Sequence, residues 1–151
     1  MKKFKTVLTA IVMLFAISSF AAEPVKVSPV VKAAFAADFT KAKEVSWEKT
    51  SDFYFASFVL NDIKVEAAYS MEGKLLGTSR MISVQEMPLS ISLAIAERYA
   101  GYQVNKSVIE LTFEGVTRYY VNIEDDNKML KLKCYANGDL EVDSKLKKIK
   151  S

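Results

Sequence analysis

The sequence repeats a short pattern of aromatic and small residues about 65 positions further along the chain. The segment 54–58 reads Tyr-Phe-Ala-Ser-Phe, and the segment 119–123 reads Tyr-Tyr-Val-Asn-Ile. Likewise, Ala-Tyr at 68–69 corresponds to Cys-Tyr at 134–135. A period of this length predicts a tandem duplication of one supersecondary unit, in which each copy covers apolar surface of the other. The repeat constrains the fold more tightly than it constrains the function.

The first 21 residues have the three-part pattern of a secretory signal peptide. Lys2, Lys3 and Lys5 precede an uncharged apolar run at 6–17, and Ser-Phe-Ala at 19–21 places small residues at a cleavage position. The alternative is a membrane anchor, but about twelve apolar residues are too few to cross roughly 30 Å of hydrocarbon. We therefore predict a periplasmic or secreted protein with no stable membrane insertion after cleavage of the signal peptide.

Removal of residues 1–21 would leave an electrically neutral chain of 130 residues. The full sequence has 21 basic and 18 acidic residues, and the leader removes three lysines and no acid. A nucleic-acid-binding protein needs a retained basic excess, so we do not expect a nucleic-acid partner. Cys134 is the single cysteine. It cannot form an intrachain disulfide, and the alternating apolar residues around it predict a buried thiol on a strand.

Residues 22–151 are predicted to form one α+β domain made of two repeats, at about 29–82 and 87–146. Each repeat begins with a helix whose apolar residues recur at helical spacing and continues with about four antiparallel strands of alternating hydrophobicity. Alternation places Tyr69 on the core face and Tyr135 on the opposite face. A β-bulge in the third strand of the second repeat would reconcile this difference with the repeat.

Several short motifs, taken in order, resemble the β-lactamase-inhibitor-like, PepSY-like family of secreted bacterial proteins. The resemblance covers about 30–146 and rests on the motifs at 45–47, 54–56, 68–69, 73–75, 87–88 and 99–102. It implies two helix-plus-strand repeats that join into one antiparallel sheet, with both helices packed on one face. It also implies a periplasmic or extracellular location, and it brings no catalytic residues.

Two relatives of this family suggest protein binding. PepSY domains are associated with the propeptides of peptidases and are thought to restrain them, and β-lactamase inhibitory protein (BLIP) grips an enzyme with the open face of its sheet. This sequence lacks the paired cysteines of BLIP, and a shared fold does not transfer a function. The resemblance therefore implies a binding module without naming its target.

The absence of histidine excludes most catalytic machinery. Without imidazole there is no Ser-His-Asp or Cys-His nucleophile and no histidine-ligated zinc. Ser46 and Lys49 match a Ser-x-x-Lys pattern, but they are predicted to lie on a strand rather than on the helix that this chemistry requires. The acidic turn at 124–127 lacks the ligand spacing of a calcium loop, which favours a solvated turn. We therefore predict a protein that is not an enzyme and has no cofactor and no bound metal.

Aromatic and basic side chains on the sheet face away from the helices are the candidate binding residues. Alternation places Tyr54, Ala56 and Phe58 in the first repeat towards the core, and the second repeat should place Tyr119, Val121 and Ile123 in the same way. The candidates for contact with a partner protein are Phe53, Phe55, Arg118, Tyr120, Lys131 and Lys133. Alternatively, the rings only shelter beneath neighbouring Lys and Glu stems.

Three functional hypotheses follow from these observations. The first is a non-enzymatic module that holds another protein, such as a peptidase or another cell-envelope enzyme, against the open sheet. The second is a small-ligand carrier with a pocket between helices and sheet, lined by Tyr69, Tyr99 and Tyr102. The third is an enzyme with a converging carboxylate pair, because glycosidase chemistry needs no histidine.

Overall fold

A computed structural model describes residues 24–148, and the predicted signal peptide lies outside them. The described chain contains two α-helices, one short 3₁₀-helix at Val84–Glu86 and eight strands. The elements are α1 (Pro29–Asp38), β1 (Lys43–Lys49), β2 (Phe53–Leu60), β3 (Ile63–Ser70), β4 (Leu75–Ser83), α2 (Leu89–Arg98), β5 (Gln103–Phe113), β6 (Val116–Glu124), β7 (Lys128–Tyr135) and β8 (Leu140–Lys147). One antiparallel sheet takes the strands in the order β1 to β8, which confirms the predicted α+β class.

Helix α1 begins where the sequence places a capping residue. The Ser28 hydroxyl accepts a hydrogen bond from the Val31 amide at 3.4 Å, and Pro29 occupies the first helical turn, where no backbone donor is needed. Val31 and Phe35 are the buried residues of the helix, four positions apart and therefore on one face. No helix within residues 24–148 is long and apolar enough to cross a bilayer.

The chain divides into two compact units. The first unit consists of the described chain up to Arg80 together with Thr112–Gly115. The second unit consists of Met81–Leu111 and the described chain from Val116 onward. Each unit contains one α-helix, which packs against strands of its own unit to form a separate apolar core.

The core of the first unit is aromatic. The ring of Phe35 from α1 lies 5.1 Å from the ring of Trp47 and 5.1 Å from the ring of Phe58, both in edge-to-face geometry. The buried members of this core are Val27, Val31, Phe35, Tyr54, Ala56, Phe58, Ala67 and Tyr69. The predicted inward-facing set Tyr54, Ala56 and Phe58 is therefore confirmed.

The core of the second unit is mainly aliphatic. Ile91 and Ile95 from α2 pack against alternate residues of β6 and β7. The buried members are Ile82, Met87, Ile91, Ile95, Val108, Tyr119, Val121, Ile123, Leu130, Leu132 and Cys134. Tyr119, Val121 and Ile123 face this core, as predicted, and Cys134 is buried in β7, also as predicted.

The bulge predicted for the third strand of the second repeat is absent from β7, because the pairing makes Cys134, opposite Tyr119, the counterpart of Tyr69, opposite Tyr54. The β6–β7 register runs without a shift from Arg118 opposite Tyr135 to Glu124 opposite Met129. The register shifts between β7 and β8, where Asp143 is the extra residue. The first unit has the same arrangement between β3 and β4, with Leu76 as the extra residue.

Candidate protein-binding surfaces

Phe53 and Phe55 lie in β2 on the side of the strand away from α1. Their positions alternate with those of Tyr54 and Ala56, which belong to the core beneath the helix. The two rings contact each other, with centroids 6.5 Å apart. Phe53 is half-buried, but only 2% of Phe55 is exposed. Phe53 is therefore the ring of this pair that a partner can reach.

Small residues on neighbouring strands make room for large rings on this face. Phe55 lies opposite Ala68 in β3, and Ala68 lies opposite Gly77 in β4. The ring of Phe113, which also belongs to the first unit, occupies the space above Gly77. A Cβ added to Gly77 would lie 2.9 Å from a carbon of that ring and 2.6 Å from the Thr112 carbonyl oxygen. Position 77 therefore requires glycine, because a Cβ there would collide with both groups.

A row of polar side chains crosses the same face of the first unit. Ser46 in β1 lies opposite Ser57 in β2, Ser57 lies opposite Glu66 in β3, and Glu66 lies opposite Ser79 in β4. The Ser57 hydroxyl donates a hydrogen bond to Oε1 of Glu66 at 3.5 Å. We call these four residues the polar row. Ser46 is exposed, Ser57 is half-buried, and Glu66 and Ser79 are buried, so the row runs from a solvated end to a dry end.

Burial raises the pKa of Glu66 from 4.5 to about 7. The negative charge of Glu48 is the second cause of this increase, while Ser57 and Ser79 act in the opposite direction to a smaller extent. In the part of the chain that the structure describes, neither the Ser79 hydroxyl nor Oε2 of Glu66 has a hydrogen-bond partner. Such a carboxyl changes its charge near neutral pH.

Glu66 alternates with the core residues of β3, a pattern typical of a solvent-facing position, but the structure buries it. Only 5% of the residue is exposed. The alternation correctly assigned the face of the sheet but not its burial. The two-residue hairpin at Asn61 and Asp62 pairs Leu60 with Ile63, and this pairing already sets Ser57 opposite Glu66. Extending the hairpin register would have revealed the serine–glutamate contact from sequence.

In the second unit, Tyr120 lies on the side of β6 away from α2. Its ring is 6% exposed and is covered by Lys131, whose Nζ lies 5.1 Å from the ring centroid. Tyr120 is therefore sheltered beneath a lysine stem, which is the alternative interpretation of the aromatic residues on this face. Burial raises the pKa of Tyr120, and Asp143 contributes in the same direction, whereas Lys133 and Arg118 oppose it. The phenol stays a neutral hydrogen-bonding group.

Lys131 and Lys133 are both paired with acids of the neighbouring strand β8. Lys133 Nζ lies 2.8 Å from Glu141, and this hydrogen bond is the main reason that the pKa of Lys133 is raised. Lys131 Nζ lies 3.9 Å from Asp143, but burial dominates and lowers the pKa of Lys131. Both lysine side chains are partly buried, so a partner would contact their methylene stems as well as their charges.

Among the basic residues of this surface, Arg118 has a side-chain nitrogen without an acceptor in the described chain. It lies in β6 opposite Tyr135 of β7 and two residues before Tyr120, on the same side of the strand. Its Nη1 atom is shielded from solvent and has no hydrogen-bond partner within the described residues 24–148. A buried guanidinium nitrogen without an acceptor is unfavourable, so an incoming carboxylate or carbonyl oxygen would satisfy it. We call Arg118, Tyr120, Lys131 and Lys133 the basic patch.

An apolar pocket of about 340 Å³ lies beside α2 in the second unit. Its lining residues are Val84, Met87, Ser92, Ile95, Ala96, Tyr99, Ala100, Gly101, Tyr102 and Val104. The predicted residues Tyr99 and Tyr102 meet there edge to face, with ring centroids 5.7 Å apart. Tyr69 is not part of this pocket, because it is buried in the core of the first unit. Met87 and Ile95 also line the pocket but were not predicted to do so, because their spacing is equally typical of core residues.

Solved structures from Bacteroides resemble this chain. A BLIP-like protein of Bacteroides fragilis has a TM-score of 0.68 and 20% identity, with 82% of this chain and 87% of that chain covered. The fold is that of the BLIP-like proteins. A proposed periplasmic protein of Bacteroides eggerthii gives a TM-score of 0.68 at 16% identity, with 82% and 90% covered. A DUF2874 family protein of Bacteroides ovatus gives 0.68 at 18% identity, with 82% and 89% covered.

At these identities the likeness establishes the fold alone, and at that level it confirms the resemblance to β-lactamase-inhibitor-like proteins. No protein-family model and no curated protein matches the sequence.

Proposed function

We propose that this protein is an exported, non-enzymatic protein-binding module. Its target would be a peptidase or another enzyme of the cell envelope, restrained by contact with the sheet faces away from the helices. The observation that carries the proposal is the buried Nη1 of Arg118, which has no acceptor within the described chain. A partner that offers a carboxylate or carbonyl oxygen would satisfy this donor, and interfaces favour arginine beside aromatic rings.

The remaining candidate residues have supporting roles in this proposal. Phe53 and Phe55 would provide apolar contact in the first unit, where Phe53 is the accessible ring. In the second unit, Tyr120 would support the interface from beneath Lys131. Lys131 and Lys133 would orient an acidic partner, because charges at the edge of an interface act mainly on orientation and association rate.

The proposed absence of catalysis rests on the chemistry of the available side chains. The chain has no histidine. Ser46 and Lys49 lie in β1 rather than on a helix, and burial raises the pKa of the Cys134 thiol to about 12. A thiol with that pKa is not a nucleophile at neutral pH.

Export and internal duplication complete the proposal. Residues 1–21 have the pattern of a signal peptide, and a structural neighbour from Bacteroides eggerthii is described as a proposed periplasmic protein. Duplication is supported by the order of elements, since each α-helix is followed by four strands. The extra residues Leu76 and Asp143 both lie in the fourth strand of their own repeat, where that strand pairs with the third.

Crosslinking in intact cell envelopes, followed by mass spectrometry, tests the proposed function. We expect one envelope protein to be recovered with the wild type and to be depleted with Arg118→Gln. Arg98→Gln is the matched control, because Arg98 is an exposed arginine in the last turn of α2. Equal recovery with all three proteins would reject the basic patch as the binding surface.

A parallel pair of variants tests the first unit. Phe53→Ala should reduce recovery of the same partner, whereas Leu93→Ala should not, although Leu93 is 61% exposed. If Leu93→Ala is the variant that fails, the partner binds beside α2 instead.

The alternative function is that of a small-ligand carrier, and the pocket beside α2 supports it. Its volume of about 340 Å³ lies within the range of small-molecule sites. Ala96→Phe would fill the pocket from an exposed helix position, with Ala33→Phe on α1 as the control. The carrier function predicts an apolar molecule that is extracted from the wild type and from the control but not from Ala96→Phe.

A further inference from the structure

Two polar side chains of the first unit are buried without full hydrogen bonding. Glu66 is 5% exposed and Ser79 is 1% exposed, and they lie directly opposite each other on β3 and β4. Oε2 of Glu66 and Oγ of Ser79 have no hydrogen-bond partner among residues 24–148. Buried polar atoms are normally satisfied, and an unsatisfied one is unfavourable. Both atoms can accept a hydrogen bond, so together they define a site for a donor.

A second carboxylate acts on this pair. Glu48 from β1 is the charged group that acts most strongly on Glu66, and its effect is to raise the pKa of the Glu66 carboxyl. The other groups acting on the carboxyl are the hydroxyls of Ser57 from β2 and Ser79 from β4. A cation placed here would reverse the unfavourable interaction between the two carboxylates and would also supply the missing hydrogen bonds.

We propose that the polar row of the first unit binds a basic side chain, lysine or arginine, of the partner protein. The proposal rests on the binding function proposed above and names the chemistry of one contact. The ammonium or guanidinium group would donate hydrogen bonds to Glu66 and to Ser79. The stem of the basic side chain would lie along the row, beside the ring of Phe55, which precedes Ser57 on the same face of β2.

The burial gradient along the row defines the direction of entry. Ser46 at the β1 end is exposed, Ser57 is half-buried, and the two acceptors lie beyond them. A long, flexible stem with a charge at its tip suits such a path, because its methylene groups tolerate apolar surroundings. Calcium, by contrast, takes six to eight oxygen ligands, and Glu66 is the one buried acid among residues 24–148.

Binding at this site would be coupled to a proton. A cation favours the ionised carboxylate, so its arrival would lower the pKa of Glu66 from about 7 and release a proton near neutral pH. The affinity for the basic side chain would therefore increase as the pH rises through about 7. A contact made only by Ser57 and Ser79 would show no such dependence.

Carbon-13 NMR of the Glu66 carboxyl in the secreted protein tests the proposal directly. The probes are N-acetyl-arginine amide and N-acetyl-lysine amide, each at matched ionic strength. Their neutral controls are N-acetyl-citrulline amide and Nα,Nε-diacetyl-lysine amide. We expect at least one cationic probe to lower the apparent pKa of Glu66, and both neutral probes to leave it unchanged. An identical Glu66 titration curve with all four probes would overturn the proposal.

Two variants separate direct contact from a general electrostatic effect. Glu66→Gln keeps the shape of the side chain and should abolish the amide shift changes that the cationic probe causes at Ser57 and Ser79. Glu72→Gln, in the exposed turn after β3, is the control and should leave those changes intact. Persistent changes in Glu66→Gln would place the cation elsewhere and reject the site.

The NMR result and the envelope crosslinking can fail independently. Cation binding at Glu66 without any captured partner would leave the site in place and reject the protein-binding function. A captured partner that is retained by Glu66→Gln, together with no response of Glu66 to either cationic probe, would reject the site and leave the protein-binding function in place.

Discussion

The hydroxyl of Tyr69 donates a hydrogen bond to Oδ2 of Asp38 across 2.8 Å. Tyr69 is fully buried in β3, and Asp38 is the last residue of α1, so the bond ties the end of the helix to the sheet of the first unit. Burial, reinforced by the hydrogen bond and the charge of Asp38, raises the pKa of Tyr69 far above its usual range. The phenol therefore remains a protonated donor at neutral pH.

Tyr69→Phe should lower the free energy of unfolding by about 1.5–3 kcal/mol, because the lost hydrogen bond has a charged acceptor. Urea denaturation followed by circular dichroism provides the measurement. Tyr135→Phe is the control, since its hydroxyl makes a 3.4 Å hydrogen bond to the exposed Glu141, and we expect a change within about 0.5 kcal/mol. Equal stabilities for the two variants would show that the Asp38 contact adds nothing.

Glu66 should make the stability of the protein depend on pH between about 4.5 and about 7. Its pKa is raised in the folded state, so the folded protein holds the proton more tightly than the unfolded chain does. The contribution is complete below about pH 4.5 and is lost as the pH rises through about 7. At about 1.4 kcal/mol per pKa unit, the loss is roughly 3 kcal/mol.

Glu66→Gln should remove this part of the pH dependence, measured as unfolding free energies from urea titrations across that interval. Glu72→Gln should retain the wild-type slope. A slope that survives in Glu66→Gln would assign the titration to another group.

Gly77→Ala should destabilise the first unit by about 1–3 kcal/mol through overpacking. The new Cβ would lie 2.6 Å from the Thr112 carbonyl oxygen, which belongs to the backbone and cannot rotate away. Ala33→Ser, a one-atom enlargement at an exposed position of α1, serves as the control in the same urea experiment. A Gly77→Ala protein as stable as the control would mean that β4 and Phe113 are not closely packed at Gly77.

Cys134 should not react with thiol reagents in the folded protein. It is fully buried in the second core, and desolvation raises the pKa of its thiol to about 12. With a disulfide reagent such as 5,5′-dithiobis(2-nitrobenzoate) at neutral pH, we expect labelling only after unfolding in urea. Labelling of the native protein at the rate of a free thiol would contradict the burial of β7.

Much of the fold could be predicted from local signals. The predicted start of the first repeat at about residue 29 coincides with the Ser28 cap of α1, and the alternation around Tyr54 and Tyr119 gave the correct inward-facing residues in both units. These signals are reliable because capping and alternation depend on atoms a few residues apart. The bulge predicted in the third strand was wrong, because the repeat had been aligned with Tyr135, whereas strand pairing makes Cys134 the counterpart of Tyr69.

The candidate surfaces were only partly predictable. The sheet face of Phe55 and Tyr120 followed from alternation, but their burial did not, because it depends on what other parts of the chain place above them. Lys131 covers Tyr120 by reaching across from β7. Such contacts join residues of different strands, and neither strand encodes the contact alone.

The sequence by itself determined the strands, the helices and the side of each strand that faces a core, because these depend on the local spacing of apolar residues. The tertiary structure alone decided that Glu66 is desolvated opposite Ser79, that Arg118 has an unsatisfied donor, and that Tyr69 reaches Asp38. The physical reason is that solvent exposure and hydrogen-bond satisfaction are set by neighbours in space, and those neighbours exist only after the strands have paired and the helices have packed.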